Sequence, residues 1–218
     1  MSDHFVNDIL PNKLGITNQQ ELMGYEEKIV AEKIINLLKE SEAFEPDLDY
    51  FKHIHKVLFE DLYDFAGQFR TVDIVKTDSN FPFCFALFLP SESERIFGDL
   101  KAKNYLKNLK KPDFIQGIAD FSTELNALHP FREGNGRSTR IWLDLILKEE
   151  LQKVVDWNLI DKADYLSAME RSPINDLEIR YLISNALTDK IDDRELYMKG
   201  IDVSYFYEGY SEYTIDDL

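Results

Sequence analysis

The stretch that decides the fold is His129-Pro-Phe-Arg-Glu-Gly-Asn-Gly-Arg-Ser-Thr-Arg140. Before it, apolar residues recur at helical spacing from Phe114 to Leu128, with Asp113 in place to cap that helix. Pro130 disfavours helix at the residue before it, so this helix is expected to end near Leu128. Helical spacing resumes over 137–151. The run therefore predicts a tight loop between two buried helices, ending in the first turn of the second.

Helical spacing also dominates the rest of the chain. It predicts further helices over 18–38, 47–62, 91–106, 162–170, 174–188 and 191–199. Thr17 or Asn18 is placed to cap the first of these helices and Asp47 the second. Neither repeats nor an interdomain linker occur, and 218 residues suit one domain. We therefore expect a single all-α domain, preceded by an irregular arm over 1–16.

Residues 69–85 differ from their helical surroundings. Residues 69–75 have strand composition, 77–80 have turn composition, and 81–85 could form a returning strand. Pro82 indicates an edge position, because proline cannot donate to a central ladder. The pattern predicts a β-hairpin standing alone among helices.

Composition excludes several classes of function. The formal net charge of -16 disfavours binding to nucleic acid, which depends on Lys and Arg contacts with phosphates. No apolar stretch approaches the roughly 20 residues of a membrane span. A single cysteine, Cys84, fits a reducing compartment, and the N-terminus lacks a signal-peptide pattern. We expect a cytoplasmic protein that binds neither nucleic acid nor membrane.

The residues of the 129–140 run together suit a phosphate site beside a proton acceptor. Glycines that lead into a helix N-terminus create an anion site, where Asn135 can donate its side-chain amide and arginines can bind further phosphates. Glu133 suits a Mg²⁺ ion shared with phosphate oxygens, and His129 can take a proton from a hydroxyl. Each residue alone would be an ordinary turn, helix-end or surface residue. Their combination predicts transfer of a phosphate-linked group from a nucleotide to an alcohol or phenol.

The same run resembles the motif of the Fic family, His-Pro-Phe-x-(Asp/Glu)-Gly-Asn-Gly-Arg-x-x-Arg, at every specified position. The resemblance covers roughly residues 12–210. It implies an all-α, Fic-type helical bundle with a β-hairpin flap at 69–85 and a catalytic loop at 129–140. It also implies transfer of AMP from ATP, with Mg²⁺, to a Ser, Thr or Tyr hydroxyl of a target protein that docks on the flap edge.

Motif positions assign roles by this resemblance. His129 is similar to the general base, Phe131 to the residue that anchors the loop, and Glu133 to the Mg²⁺ ligand. The anion hole for the α- and β-phosphates would consist of Gly134, Asn135 and Gly136. Arg137 would bind the β-phosphate, and Arg140 would bind the γ-phosphate. Further expected nucleotide contacts are Ser138 and Thr139 in the motif, Lys76 and Thr77 on the flap, and Tyr165 and Ser172 near adenine.

A second motif near the C-terminus resembles the family's inhibitory sequence, (Ser/Thr)-x-x-x-Glu-(Gly/Asn). Ser204, Glu208 and Gly209 match it, which implies the class III subgroup, with a C-terminal inhibitory helix over 200–210. Glu208 would pair with Arg140 and occupy the space that the γ-phosphate requires. A competing match, Thr17 to Glu21, lacks the final Gly or Asn.

Alternatives remain at this stage. The same site could remove AMP from a modified protein, with Glu208 positioning water, or the domain could be a non-enzymatic binding module. Other members of the family transfer phosphate, UMP or phosphocholine. The identity of the target, the trigger that relieves inhibition, and association of identical chains are left open.

Overall fold

The computed structural model describes residues 9–39, 45–74 and 83–200. Across these ranges the chain is mainly helical, which confirms the all-α prediction. The helices are α1 Gln19–Lys39, α2 Leu48–Phe59, α3 Leu89–Ala102, α4 Lys111–Leu128, α5 Asn135–Leu151, α6 Lys162–Arg171, α7 Leu177–Asn185 and α8, helical over 194–200. Short 3₁₀ turns lie at Ala86–Phe88, Asn104–Leu106 and Trp157–Leu159.

α5 is the central helix of the fold. It packs against α1, α2 and α4, and α4 also contacts α3 and α7. Trp142 of α5 is fully buried, stacks on Phe121 and meets the edge of Phe97. Because α5 is buried from its first turn, groups at its N-terminus are held rigidly inside the protein.

Local sequence signals explain most helix boundaries. The amide of Glu21 donates to Asn18 Oδ1 at 3.0 Å, so Asn18 rather than Thr17 caps α1. The amide of Tyr50 donates to Asp47 Oδ1 at 2.8 Å, as predicted. The prediction for Asp113 was wrong: α4 begins at Lys111, three residues before the predicted start at Phe114, because Pro112 in its first turn pre-sets helical φ.

Three helices end earlier than their apolar spacing predicted. α2, expected to reach residue 62, ends at Phe59. α3 ends at Ala102, and the predicted continuation to residue 106 becomes a turn in which Asn104, Tyr105 and Leu106 have positive φ. α7 ends at Asn185, since residues 187–188 form a strand instead. This strand, β2 Leu187–Thr188, pairs antiparallel with β1 Val154–Val155, placing Val154 opposite Thr188. The pair was not predicted because two-residue strands carry no readable period.

The arm and the predicted hairpin lie partly outside the described ranges. Residues 9–16 are irregular, as predicted, and the amide of Lys13 donates to the Leu62 carbonyl at 2.8 Å. Residues 69–74 and 83–85 belong to the predicted hairpin of 69–85 and are not in strand, so the strand prediction was wrong for these residues. Residues 75–82 fall outside the described ranges, and their part of the hairpin stays a prediction. Over the described ranges, no helix has the length and apolarity needed to cross a membrane.

Candidate active site

The 129–140 run forms the predicted loop between two buried helices. α4 ends at Leu128, and His129 adopts left-handed backbone angles, with φ 45° and ψ 60°. Gly134 also has positive φ, 73°, and α5 begins at Asn135, two residues earlier than predicted. A Cβ at residue 134 would lie 2.3 Å from the Phe59 ring, so both backbone angle and space require glycine.

Phe131 anchors the loop in the core, which confirms its predicted role. It is fully buried and stacks on the His55 ring, with 3.8 Å between ring centroids. His55 Nε2 donates to the Glu133 carbonyl at 2.9 Å, while Nδ1 accepts from the Gly67 amide at 2.8 Å. Burial lowers the pKa of His55 to about 3, and nearby Arg137 acts in the same direction. The neutral ring therefore joins α2 to the loop with a defined tautomer.

The side chain of Asn135 has a different task from the predicted one. Its Oδ1 accepts from the Phe131 amide and its Nδ2 donates to the Phe131 carbonyl, both at 2.8 Å. The amide side chain thus closes the loop onto itself, rather than pointing at an anion. Any contribution of residue 135 to phosphate binding comes from its backbone N–H, which starts α5.

Arg137 belongs to a buried network of charges. It is fully buried, its Nη1 pairs with Glu26 of α1, and its Nη2 lies 3.0 Å from Glu133 Oε1. The Tyr63 hydroxyl donates to the second oxygen of Glu26, and the Arg137 guanidinium sits 4.8 Å from the Phe59 ring centroid. Sequence reasoning placed Arg137 at an open phosphate site, whereas the structure holds it between two carboxylates.

Glu133 lies at the rim of this network. Its side chain retains 15% exposure, and Oε1 accepts from its neighbour's amide, that of Gly134, at 2.8 Å. The described residues include no group of three or more His, Cys, Asp or Glu side chains suited to a metal ion. A single carboxylate completed by phosphate oxygens and water nevertheless matches the ligand set that Mg²⁺ usually takes.

Arg140, three residues after Arg137 on α5, contacts a different partner. It is almost fully buried, 5.8 Å from the Trp157 ring centroid. One turn further, Asp144 accepts from the Val155 amide at 2.8 Å and from Trp157 Nε1 at 3.1 Å. Burial raises the pKa of Asp144 to about 7, although these hydrogen bonds and Arg140 oppose the shift. Asp144 thereby fixes the tryptophan against which Arg140 rests.

His129 lies where α4, the loop and residues 70 and 83 meet. Its ring stacks on Phe83, with centroids 3.8 Å apart, and its Nδ1 is buried without a hydrogen-bond partner among the described residues. Although solvent reaches part of the residue, desolvation of the ring lowers its pKa to about 3, and the Arg70 guanidinium adds to the shift. A backbone interaction with Asn126 opposes it. His129 is therefore neutral at physiological pH, as a proton acceptor must be.

The remaining predicted site residues have mixed placements. Gly136, Ser138 and Thr139 lie in the first turns of α5, next to the arginines. Tyr165 is buried edge-on against Trp157, which connects it to the Arg140 side. Ser172 donates its hydroxyl to the Met169 carbonyl at 2.8 Å and lines a cavity of about 400 Å³ beside α3 and α4. Five further predicted residues lie outside the described ranges, namely Lys76, Thr77, Ser204, Glu208 and Gly209.

Three residues that sequence reasoning missed make contacts with the loop: Glu26, His55 and Arg70. Glu26 carried a usable signal, because it follows buried Leu22 by one turn and precedes buried Val30 by another. His55 similarly occupies a core position of α2. The competing brake residue Glu21 is exposed, so the carboxylate that α1 brings to the loop comes from Glu26 instead.

Comparison with known proteins places these features in context. Residues 45–147 match the model of the Fic/DOC family. The chain is 30% identical over 189 residues to a probable protein adenylyltransferase Fic of Escherichia coli K12, covering 86% of this chain and 92% of that one. A probable protein adenylyltransferase of Sinorhizobium fredii is also 30% identical, over 80% of this chain and 91% of its own length.

Solved structures share the fold. The BepC protein of Bartonella tribocorum, determined with bound AMPPNP, matches with a TM-score of 0.73 and 24% identity, covering 85% of this chain and 95% of that one. The N-terminal Fic domain of a Bartonella quintana effector, determined with bound ADP, also gives 0.73 and 24%, over 85% and 93%. At this identity the likeness establishes a common architecture.

Proposed function

Because the chain belongs to the Fic/DOC family, we propose that it is a protein adenylyltransferase, which transfers AMP from ATP to a Ser, Thr or Tyr hydroxyl of a target protein. The observation that carries the proposal is the complete motif in its expected setting. A neutral histidine follows the end of one buried helix, and two buried arginines lie in the first turns of the next. The two relatives described above are named probable protein adenylyltransferases, which supports transfer of AMP to a protein.

The reaction requires attack at the α-phosphorus of ATP. The target hydroxyl oxygen forms the new P–O bond, the bond between the α-phosphorus and the bridging oxygen to the β-phosphate breaks, and diphosphate leaves. His129 takes the hydroxyl proton as the nucleophile attacks. Since its pKa is lowered to about 3, the base is available without prior deprotonation.

Phosphate binding would fall to the first turn of α5 and its arginines. Unpaired N–H groups and the helix dipole favour an anion at this end. Arg137 would donate to the β-phosphate from its fixed place between Glu26 and Glu133. Arg140 would serve the γ-phosphate and Tyr165 the adenine side. The target protein would dock on the edge of the flap.

Mg²⁺ fits the residues present and would be held by Glu133 together with phosphate oxygens. When bound, the ion neutralises charge that develops on the phosphates during transfer. The network around Glu133 suits a cation, because the single positive charge of Arg137 is shared between two carboxylates.

Autoinhibition by Glu208 is a further part of the proposal. The described chain reaches residue 200 in α8, and a Cβ at Gly200 would lie 3.5 Å from Trp157. Trp157 in turn contacts Arg140, the partner proposed for Glu208. Seven residues lie between positions 200 and 208, a length of chain that can bring residue 208 to Arg140. A carboxylate at Arg140 would exclude the γ-phosphate from a productive pose.

Mass spectrometry of the purified chain after incubation with ATP and Mg²⁺ tests the proposal. We expect the chain itself or an added bacterial lysate protein to gain the mass of one AMP. The labelled fraction should be larger for Glu208→Gly than for the wild type. Transfer of phosphate instead of AMP would refute the assigned reaction. Equal labelling by wild type and Glu208→Gly would refute the brake while leaving the transferase intact.

A further inference from the structure

Four consecutive carbonyls at the end of α4 accept hydrogen bonds from two residues, Cys84 and Arg70. The Cys84 amide donates to the Ala127 carbonyl at 3.0 Å, and the Arg70 amide donates to the Pro130 carbonyl at 2.9 Å. The Arg70 guanidinium supplies the two bonds between them: Nε donates to the His129 carbonyl at 2.8 Å and Nη2 to the Leu128 carbonyl at 3.5 Å. Residues 70 and 84 lie on the two flanks of segment 75–82.

The same guanidinium also joins the two flanks to each other. Its Nη1 donates to the Val72 carbonyl on the first flank at 2.7 Å, and its Nη2 donates to the Cys84 carbonyl on the second. Arg70 is 4% exposed, so these bonds are formed away from solvent. Only a planar group with several donors in fixed directions can serve all these carbonyls at once.

We propose that Arg70 is a positioning residue that sets His129 for proton transfer, by holding the His129 carbonyl and both flanks in one rigid unit. The inference rests on the proposed transferase function and adds a residue that the motif does not contain. His129 has a left-handed backbone, a conformation that is unfavourable for a residue other than glycine and therefore needs support from its surroundings. Arg70 supplies that support on the carbonyl side.

The imidazole ring depends on the same unit. Phe83, next to Cys84, stacks on His129 with an angle of 16° between the rings. Because Arg70 fixes the Cys84 carbonyl, it also fixes the flank that carries Phe83. Backbone and ring of His129 are thus set through one side chain that lies outside the phosphate loop.

The test compares Arg70→Lys and Arg70→Met with Arg95→Met, all in the Glu208→Gly background. Arg95 is a matched control, since it too forms a fork, to Glu92, Asp99 and Glu124, but on the surface of α3. AMP incorporation into protein gives kcat and the KM for ATP, calorimetry gives ATP binding, and NMR records the His129 ring protons. Thermal unfolding identifies any variant that fails to fold.

Both Arg70 variants should lower kcat about 10- to 100-fold with ATP binding unchanged, since a shift of about 1 Å at a reacting group has this order of effect. The upfield ring-current shift of His129 from Phe83 should shrink in both. Lysine keeps the charge but cannot donate hydrogen bonds to the same set of carbonyls. A wild-type kcat in Arg70→Lys would therefore overturn the proposal. Equal loss of ATP binding and kcat would also overturn it, as the role would then be general stability.

If Arg70→Met does not fold, the Arg70→Lys result decides alone. If the Glu208→Gly parent transfers no AMP, the proposed function fails, but the NMR measurement still tests Arg70. An unchanged His129 ring-current shift in Arg70→Lys would then refute the positioning role.

Discussion

The two ends of the 129–140 run are held by opposite kinds of interaction. Residues 127–130, the base end, are held by hydrogen bonds to backbone carbonyls from Arg70 and Cys84. Residues 133–137, the phosphate end, are held by ion pairs between Arg137, Glu133 and Glu26. Phe131 and His55 separate the two ends with a pair of stacked rings.

This difference gives each end a separate electrostatic character. At the base end the nearby charge is the cation Arg70, which together with desolvation keeps His129 neutral. At the phosphate end, one guanidinium meets two carboxylates, so the three side chains leave a net charge of -1. One end is arranged to accept a proton and the other to accept a cation, although they lie within one short loop.

The strongest test of the base end is His129→Ala. Loss of a general base should lower AMP transfer by about 10²- to 10⁴-fold, while ATP binding, which belongs to the phosphate end, stays within twofold. The rate of label incorporation and calorimetry measure the two effects. His53→Ala is the matched control, because His53 is an exposed histidine on α2. Retained transfer in His129→Ala would remove the base from the mechanism.

The corresponding test of the phosphate end is Glu26→Ala. It leaves the Tyr63 hydroxyl without its acceptor and removes one of the two carboxylates that pair with buried Arg137. We expect a loss of about 3 kcal/mol in the free energy of unfolding, measured with urea. Glu21→Ala on the exposed start of α1 should change it by less than about 0.5 kcal/mol. Similar values for both variants would show that the ion pair contributes no stability.

Gly134→Ala tests the corner between the two ends. The added methyl would overlap the Phe59 ring at a positive φ, so we expect a loss of about 2 kcal/mol in unfolding free energy.

Gly24→Ala has the opposite expectation. Gly24 lies in α1, and a methyl group added there would meet nothing within 4 Å, so alanine should stabilise the protein by up to about 1 kcal/mol. Thermal or urea unfolding of both variants checks the sign.

The smallest expected effect is that of pH on transfer. With the pKa of His129 lowered to about 3, kcat should stay level between pH 8 and pH 5, without the fall near 6.5 that an ordinary histidine gives. Below pH 6.5 the unfolded chain binds a proton at this residue that the folded chain does not. The free energy of unfolding should therefore decrease as pH falls from 6.5 towards 3, and His129→Asn should weaken this dependence. A fall in kcat near pH 6.5 would contradict the lowered pKa of His129.

Much of this arrangement was legible in the sequence, because it follows from local rules. The end of α4 at Leu128 follows from Pro130, and the glycine corner at 134 and the buried Phe131 follow from the motif and its neighbours. The pairings across the chain were not legible. Glu26 meets Arg137 across 111 residues and Arg70 meets His129 across 59, and such distances depend on how the helices pack. The side chain of Asn135 was assigned to the nucleotide, although it is used for hydrogen bonds to Phe131. These bonds form only in the folded loop, so the sequence did not reveal them.

The two tryptophans of the chain occupy contrasting places, and this gives the protein an intrinsic optical reporter. Trp142 is fully buried in the core against Phe97 and Phe121, so its fluorescence emission should not change with events at the surface. Trp157 lies next to Arg140, Tyr165 and Gly200 of α8. Its fluorescence would change whenever an anion arrives at Arg140 or the chain beyond residue 200 shifts, without any attached dye.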